Sequence, residues 1–225
     1  YGVTGKALTS QKVFLNVLNP RDFSSENNGK VDDRPYGGGP GMVMQPEPMI
    51  KAIRQAKSES KNPYTIFMSP QGNIFNQAKA EELSDKQHLV IVCGRYEGID
   101  QRIIDSEVDE ECSIGGYILS GGELPALIVM DSIARTIEGV LGDADSVKTD
   151  TFSDGLLKHS QYTRPESGSY GDVPEILLSG DHESIRRWQL KQSLLKTRKN
   201  RPDLLEIRSL NDEEQELLEE ILREE

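Results

Sequence analysis

The stretch that most constrains the fold is residues 88–93, His-Leu-Val-Ile-Val-Cys, running directly into Gly94-Arg95-Tyr96-Glu97-Gly98. A strand apolar at nearly every step has no solvated face, so it belongs in a sheet covered on both sides, the arrangement of parallel α/β proteins. Residues 64–68 predict a second short apolar strand, entering a Ser69-Pro70-Gln71-Gly72 turn. Residues 12–18 (KVFLNVL) alternate as a half-buried strand does, whereas 24–30 is polar and reads as loop. Helices are predicted over 47–57, with Met49, Ile50 and Ile53 on one face, and over 77–83. The best amphipathic pattern is 124–141, with Leu124, Leu127, Ile128, Ile137 and Leu141 expected inward.

Residues 113–125 (SIGGYILSGGELP) read as a glycine turn, a short apolar strand at 117–119, a second glycine turn, and a helix with Pro125 in its first turn. Paired glycines let backbone approach a ligand without a Cβ in the way, but two tight turns with no ligand give the same pattern. Strand ends near Ser69, Gly94 and Ser120 each carry such a turn. In open α/β sheets ligands sit at the carboxyl ends of strands, so these turns mark a small-molecule site. No G-x-G-x-x-G follows a strand, which excludes a dinucleotide fold. The glycine-dense segment 31–42 (VDDRPYGGGPGM) lacks the Gly-Lys-Ser/Thr ending of a nucleotide-phosphate loop. It reads as a loop near a substrate phosphate or as a structural loop.

The chain of 225 residues suits one large domain or two smaller ones. Sequence turns polar after Gly142, so 1–142 is expected to be an α/β domain, 143–149 a linker and 150–225 a small helical domain. In the latter, 174–178 is a short apolar piece, Asp181 can cap a helix holding Ile185, Trp188, Leu194 and Leu195, and a last helix starts near Asn211. A net charge of -12 argues against polyanion binding by the whole surface. Arg186, Arg187, Lys191, Lys196, Arg198, Lys199 and Arg201 nevertheless crowd one stretch, either a solvated helix face or an RNA contact. No apolar run approaches membrane-spanning length, and Tyr1 in place of Met reads as a processed or shortened start. Cys93 and Cys112 are expected as free thiols of a cytoplasmic protein. His88, His159 and His182 have no metal-ligand spacing, so no metal is expected.

Two residues stand out for chemistry. Asp150 follows the linker in Asp-Thr-Phe-Ser-Asp-Gly and can serve as a general base, with Asp154 the second candidate; either can instead cap a helical turn. Arg135 sits among apolar neighbours, which suits an ion pair or a ligand contact. No G-x-S-x-G elbow is present and nothing marks a cysteine nucleophile, so covalent hydrolysis is poorly supported.

Six stretches in order resemble the bacterial tRNA (guanine-N1)-methyltransferases, members of the SPOUT superfamily: 32–42 (DDRPYGGGPGM), 93–100 (CGRYEGID), 113–125, 150–157 (DTFSDGLL), 161–165 (QYTRP) and 177–195. The resemblance implies a parallel α/β domain tied in a deep trefoil knot, a helical C-terminal domain that binds tRNA, and a homodimer in the cytoplasm with no membrane part. It implies transfer of a methyl group from S-adenosylmethionine to N1 of the guanine 3′-adjacent to the anticodon, position 37. Carried over by motif, Asp150 is the base and Arg135 steadies charge on guanine O6. Cofactor contacts fall on Pro70, Gly94, Tyr96, Glu97, Ile114, Gly115, Gly116, Tyr117, Ile118, Leu119, Gly121 and Pro125. Arg34 and the basic run 186–201 would hold phosphates. The family usually has Asp at Gly116 and often His at Gln161, and its Phe-Pro-rich opening strand and helix do not precede Tyr1. The alternatives are a catalytically silent RNA-binding relative and a SPOUT enzyme for another RNA nucleotide.

Overall fold

The computed structural model describes residues 2–142 and 150–224, and the chain divides into two units, Tyr1–Gly142 and Asp143–Glu225. The predicted linker, 143–149, lies outside the described residues. In chain order the first unit holds α1 (Gly2–Thr9), a 3-10 turn (Pro20–Phe23), β1 (Asp32–Asp33), β2 (Val43–Met44), α2 (Pro46–Lys57), β3 (Tyr64–Ile74), α3 (Gln77–Ser84), β4 (Leu89–Cys93), α4 (Gln101–Glu107), β5 (Glu110–Ser113) and α5 (Glu123–Thr136). The second holds a 3-10 turn (Glu175–Leu178), α6 (His182–Asn200), α7 (Pro202–Glu206) and α8 (Asp212–Glu224).

The sheet is parallel, as the apolar run at 88–93 requires, with β3 in the centre of the order β4-β3-β5. Ile66 lies opposite Ile91 on one side and Glu110 on the other. Both faces are covered. Val90, Val92 and Phe67 pack with Met49 and Ile53 of α2 and Ile99 and Ile103, while Ile66, Met68 and Cys112 pack with Leu83 and Val129. Leu89, Ile91 and Cys93 lie against this second cluster.

The expected turn at 69–72 is instead carried inside β3. Met68 and Asn73 both pair with Cys112, so four residues bulge out before the strand resumes beside β5. Gly72 makes this geometry accessible, because a Cβ there would stand 2.3 Å from the Glu111 carbonyl carbon. Residues 12–18 form no strand: their alternation finds no neighbour to pair with, and Phe14 and Val17 are exposed. Residues 117–119 form none either; the strand is the preceding β5. The long helix ends at Thr136, with Ile137 already extended as its C-cap.

The second unit is helical around Leu156, Leu194, Leu217 and Ile221, all buried. Asp181 caps α6 as expected, its Oδ1 accepting the Glu183 and Ser184 amides at 3.1 and 3.2 Å. Asn211 and Glu214 form a reciprocal capping box on α8: the Glu214 amide donates to Asn211 Oδ1 at 2.9 Å and the Asn211 amide to Glu214 Oε2 at 3.0 Å.

Gly72→Ala forces a methyl group into the β5 backbone and should destabilise the chain by about 2–3 kcal/mol. A denaturant midpoint unchanged from wild type would show that the bulge can relax.

Candidate functional site

Parallel strands end on the same edge, so the segments after β4 and β5 and the bulge in β3 are neighbours by topology. The pairs of glycines tighten that neighbourhood. The Gly122 amide donates to the Gly94 carbonyl at 2.9 Å, and Arg95 and Gly121 form an antiparallel bridge. A Cβ on Gly122 would lie 2.7 Å from the Cys93 Cα, so this crossing of two loops needs a bare backbone. Arg95 Nε donates to Glu123 at 2.7 Å, pinning the start of α5 to the end of β4.

The loop after β5 is ordered by its own polar groups. The Gly115 amide donates to Ser113 Oγ, and the Tyr117 amide to the Gly115 carbonyl. Gly115 takes a φ of 149°, with the Tyr117 ring folded over it. Nothing stands within 4 Å of where a Gly116 Cβ would be, so the loop itself leaves room for a side chain there. Tyr96 is held at a φ of 62°, unusual for an aromatic residue. Behind it, the Glu97 amide donates to the Met42 carbonyl, which seats the glycine-rich loop between β1 and β2 on the Tyr96–Gly98 turn.

Of the expected cofactor contacts, Gly94, Tyr96 and Glu97 belong to the turn after β4, Gly115, Gly116, Ile118 and Gly121 to the loop after β5, Pro70 to the bulge in β3 and Pro125 to the buried face of α5, while Ile114, Tyr117 and Leu119 line a hollow of about 510 Å3. Its other wall is Leu124, Leu127, Ile128, Asp131 and Ser132 of α5. Here the inward face expected for α5 is corrected. Leu124, Leu127 and Ile128 are 57, 56 and 45% exposed, and the buried face is Pro125, Ala126, Val129 and Ala134. The helix is apolar on both sides, and the smaller residues fit the sheet.

Arg135 lies exposed in the last turn of α5, where a cation suits the helix dipole. In the second unit, Asp150 is half-buried at the start of a tight turn, its carboxylate 3.7 Å from Lys158 Nζ. Its carbonyl accepts from the Ser153 amide and hydroxyl. Asp154 Oδ1 accepts the Leu156 amide at 3.1 Å and starts no helix. The turn is fastened to α6: the Leu157 amide donates to Thr197 Oγ1 at 2.9 Å, and Thr197 is fully buried. The Phe152 ring lies 5.9 Å from the Arg201 guanidinium. Thr197 carried no signal in the sequence, since a mid-helix threonine looks like any other.

Much of the basic run on α6 is already paired. Arg186 bonds Glu183 and Glu213, Arg187 bonds Glu216 and Glu220, Lys191 bonds Glu220 and Glu224, and Arg201 bonds Asp203. His88 Nε2 sits 3.1 Å from the Ala56 carbonyl, and no group of three metal-ligating side chains occurs among the described residues. No helix among them is long and apolar enough to cross a membrane.

A family model described as "tRNA (Guanine-1)-methyltransferase TrmD" matches residues 1–207. Three relatives carry the name tRNA (guanine-N(1)-)-methyltransferase. That of Methylococcus capsulatus is 53% identical over all of this chain and 90% of its own length. That of Pseudoalteromonas atlantica is 51% identical over 99% of this chain and 84% of its own. The third, from Buchnera aphidicola, is 51% identical over 98% and 89%.

Both cysteines are free, and burial pushes the Cys93 thiol up to about 11. At pH 8 about one thiol in a thousand is then the reactive thiolate. A thiol-specific disulfide reagent at pH 8 should label native Cys93 far more slowly than the denatured chain. Equal rates would mean that the end of β4 is open to solvent.

Proposed function

The chain belongs to the tRNA (guanine-1)-methyltransferase family, and from that membership we propose that it transfers a methyl group from S-adenosylmethionine to N1 of the guanine 3′-adjacent to the anticodon of tRNA. The observation that carries the reading is the gathering of the β3 bulge, the Gly94 turn and the two glycine pairs at one sheet edge. Backbone donors and acceptors there suit the polar edge of an adenine, and Ile114, Tyr117 and Leu119 offer it apolar contact. The hollow falls within the roughly 300–1,000 Å3 of small-molecule sites. Pro70, Gly94, Tyr96, Glu97, residues 114–119, Gly121 and Pro125 would hold the cofactor. A trefoil knot in the first unit is part of the reading, supported by the Gly121-Gly122 segment crossing back to the end of β4.

When bound, S-adenosylmethionine supplies a methyl group already activated on a sulfonium, so the protein needs only to orient and to take a proton. Guanine N1 carries that proton, and Asp150 receives it. Arg135 offsets the charge that builds on O6. Guanine must leave the stack to be reached, which an anticodon loop permits at less cost than a duplex. A cytoplasmic location belongs to the same reading, supported by the tRNA substrate and two free thiols.

The enzyme works as a homodimer. Leu124, Leu127 and Ile128 form an exposed apolar wall of the hollow, and Ile118 of the neighbouring loop is 81% exposed, surface that water should not be left to cover. A second copy seated there would close the open side of the site.

Unmodified tRNA transcript incubated with labelled S-adenosylmethionine should acquire one methyl at N1 of that guanine. Asp150→Asn should lower the single-turnover rate by about 100-fold or more, the scale of general-base loss, with cofactor heat in calorimetry unchanged. Binding of tRNA with neither cofactor heat nor methyl transfer would identify a silent relative instead. Leu127→Lys should convert the dimer to a monomer in sedimentation and abolish transfer. A Leu127→Lys chain that stays dimeric assigns the apolar face another role.

A further inference from the structure

Arg208 lies between α7 and α8, and only half of its guanidinium is accounted for. Nη2 donates to Glu214, whose side chain is 4% exposed. Nε, on the edge it shares with Nη2, and Nη1, on the opposite side next to Cδ, are buried and make no hydrogen bond. Native structures rarely leave charged donors in this condition, and each such group calls for a reason.

Gly155 lies against the Nη1 side. A Cβ built on it would lie 3.4 Å from Nη1 and 3.7 Å from Cδ, so the absence of one lets the guanidinium rest against the backbone. Gly155 also takes a φ of 81°, closing the turn begun by Asp150. The Gly155 amide donates to the Phe152 carbonyl, and the Phe152 amide to the Leu156 carbonyl. One end of the turn is fixed, because Leu156 is buried against Leu194 and Leu217 and Leu157 is tied to Thr197. The tip, Phe152 to Asp154, is exposed. A segment anchored at one end and exposed at its tip can shift toward donors waiting beneath it.

Resting on the reading of Asp150 as the base, we propose that Arg208 is a positioning residue for the Asp150 turn. In the tRNA-bound enzyme its Nη1 donates to a backbone carbonyl of residues 153–155, fixing the turn and with it the Asp150 carboxylate. Glu214 keeps the guanidinium aimed, and Gly155 keeps its path clear. Arg208 touches neither tRNA nor cofactor in this role.

The test uses the full chain with unmodified tRNA transcript and S-adenosylmethionine. Arg208→Met is combined with Glu214→Gln, so that no buried carboxylate is left unpaired and the capping box survives; Arg208→Lys is the conservative partner. At saturating substrates the double variant should lose about tenfold or more in single-turnover rate, the scale set by misplacing a reacting group by a fraction of an ångström. Its thermal midpoint should stay within about 3 °C of wild type and its affinities for tRNA and cofactor within about twofold, and Arg208→Lys should recover part of the rate. Hydrogen exchange of the amides in 152–157 provides the second readout: tRNA should slow it in wild type and not in the double variant. A folded double variant with the wild-type rate overturns the proposal. Should the wild type transfer no methyl at all, the functional reading fails by itself. In that event, equal tRNA-induced protection of 152–157 in both proteins overturns the role of Arg208, and a difference upholds it.

Discussion

Parallel pairing of β3 with both β4 and β5 is the constraint from which the first unit follows. It sends three chain segments out of the sheet on one edge, and each must turn back to reach α3, α4 or α5. Three loops competing for one edge leave little room for side chains. Gly72 and Gly122 are the points where that shortage becomes absolute, since a Cβ at either would lie within 2.7 Å of neighbouring backbone. The same crowding leaves amide and carbonyl groups facing outward, where a polar ligand can meet them. On the proposed reading, close packing and cofactor binding are consequences of one topology, and a substitution that relaxes the first removes the second.

The second unit solves a different problem, that of holding an acidic residue on a short turn. Leu156 anchors the turn in the helical core, Thr197 takes the next amide, and the Lys158 amide donates to Thr151 Oγ1 at 3.3 Å. Hydrophobic burial sets the position of the turn, while the hydrogen bonds set its orientation. Burying Leu156 is worth about 2 kcal/mol, more than any of the individual hydrogen bonds contributes net.

The sequence made the parallel sheet legible because 88–93 offers no solvated face, and the cap at Asp181 legible because its chemistry is local. It misled wherever the answer depended on a partner. The alternation of 12–18 demands a neighbouring strand that the described residues do not supply. The pattern of α5 contains two apolar faces, and periodicity cannot say which one meets the sheet. Leu124, Leu127 and Ile128 fit the expected period equally well, yet the sheet takes Ala126 and Val129, whose smaller side chains allow close approach, and Ala134 packs with Ala7 and Val140. Of the candidate site, the strand-end turns could be read directly. The roles proposed for Asp150 and Arg135 rest on family likeness, and Arg208 left no trace because its meaning lies in what it packs against.

Charge completes the account. On α6, Arg186, Arg187 and Lys191 look like a phosphate-binding face when the helix is drawn alone, but Glu213, Glu216, Glu220 and Glu224 of α8 already occupy their donors. A phosphate arriving there must displace a carboxylate that is held in place by Leu217 and Ile221 in the same core. Exchange of one anion for another releases few counterions, so this face adds little to affinity or to its salt dependence. On the proposed reading, the grip on tRNA must therefore come from cations without such partners on α8, among them Arg34 beside the glycine-rich loop. The first half of α6 then serves mainly to bind α8, and through α8 to keep Glu214 beneath Arg208 and the turn that bears Asp150.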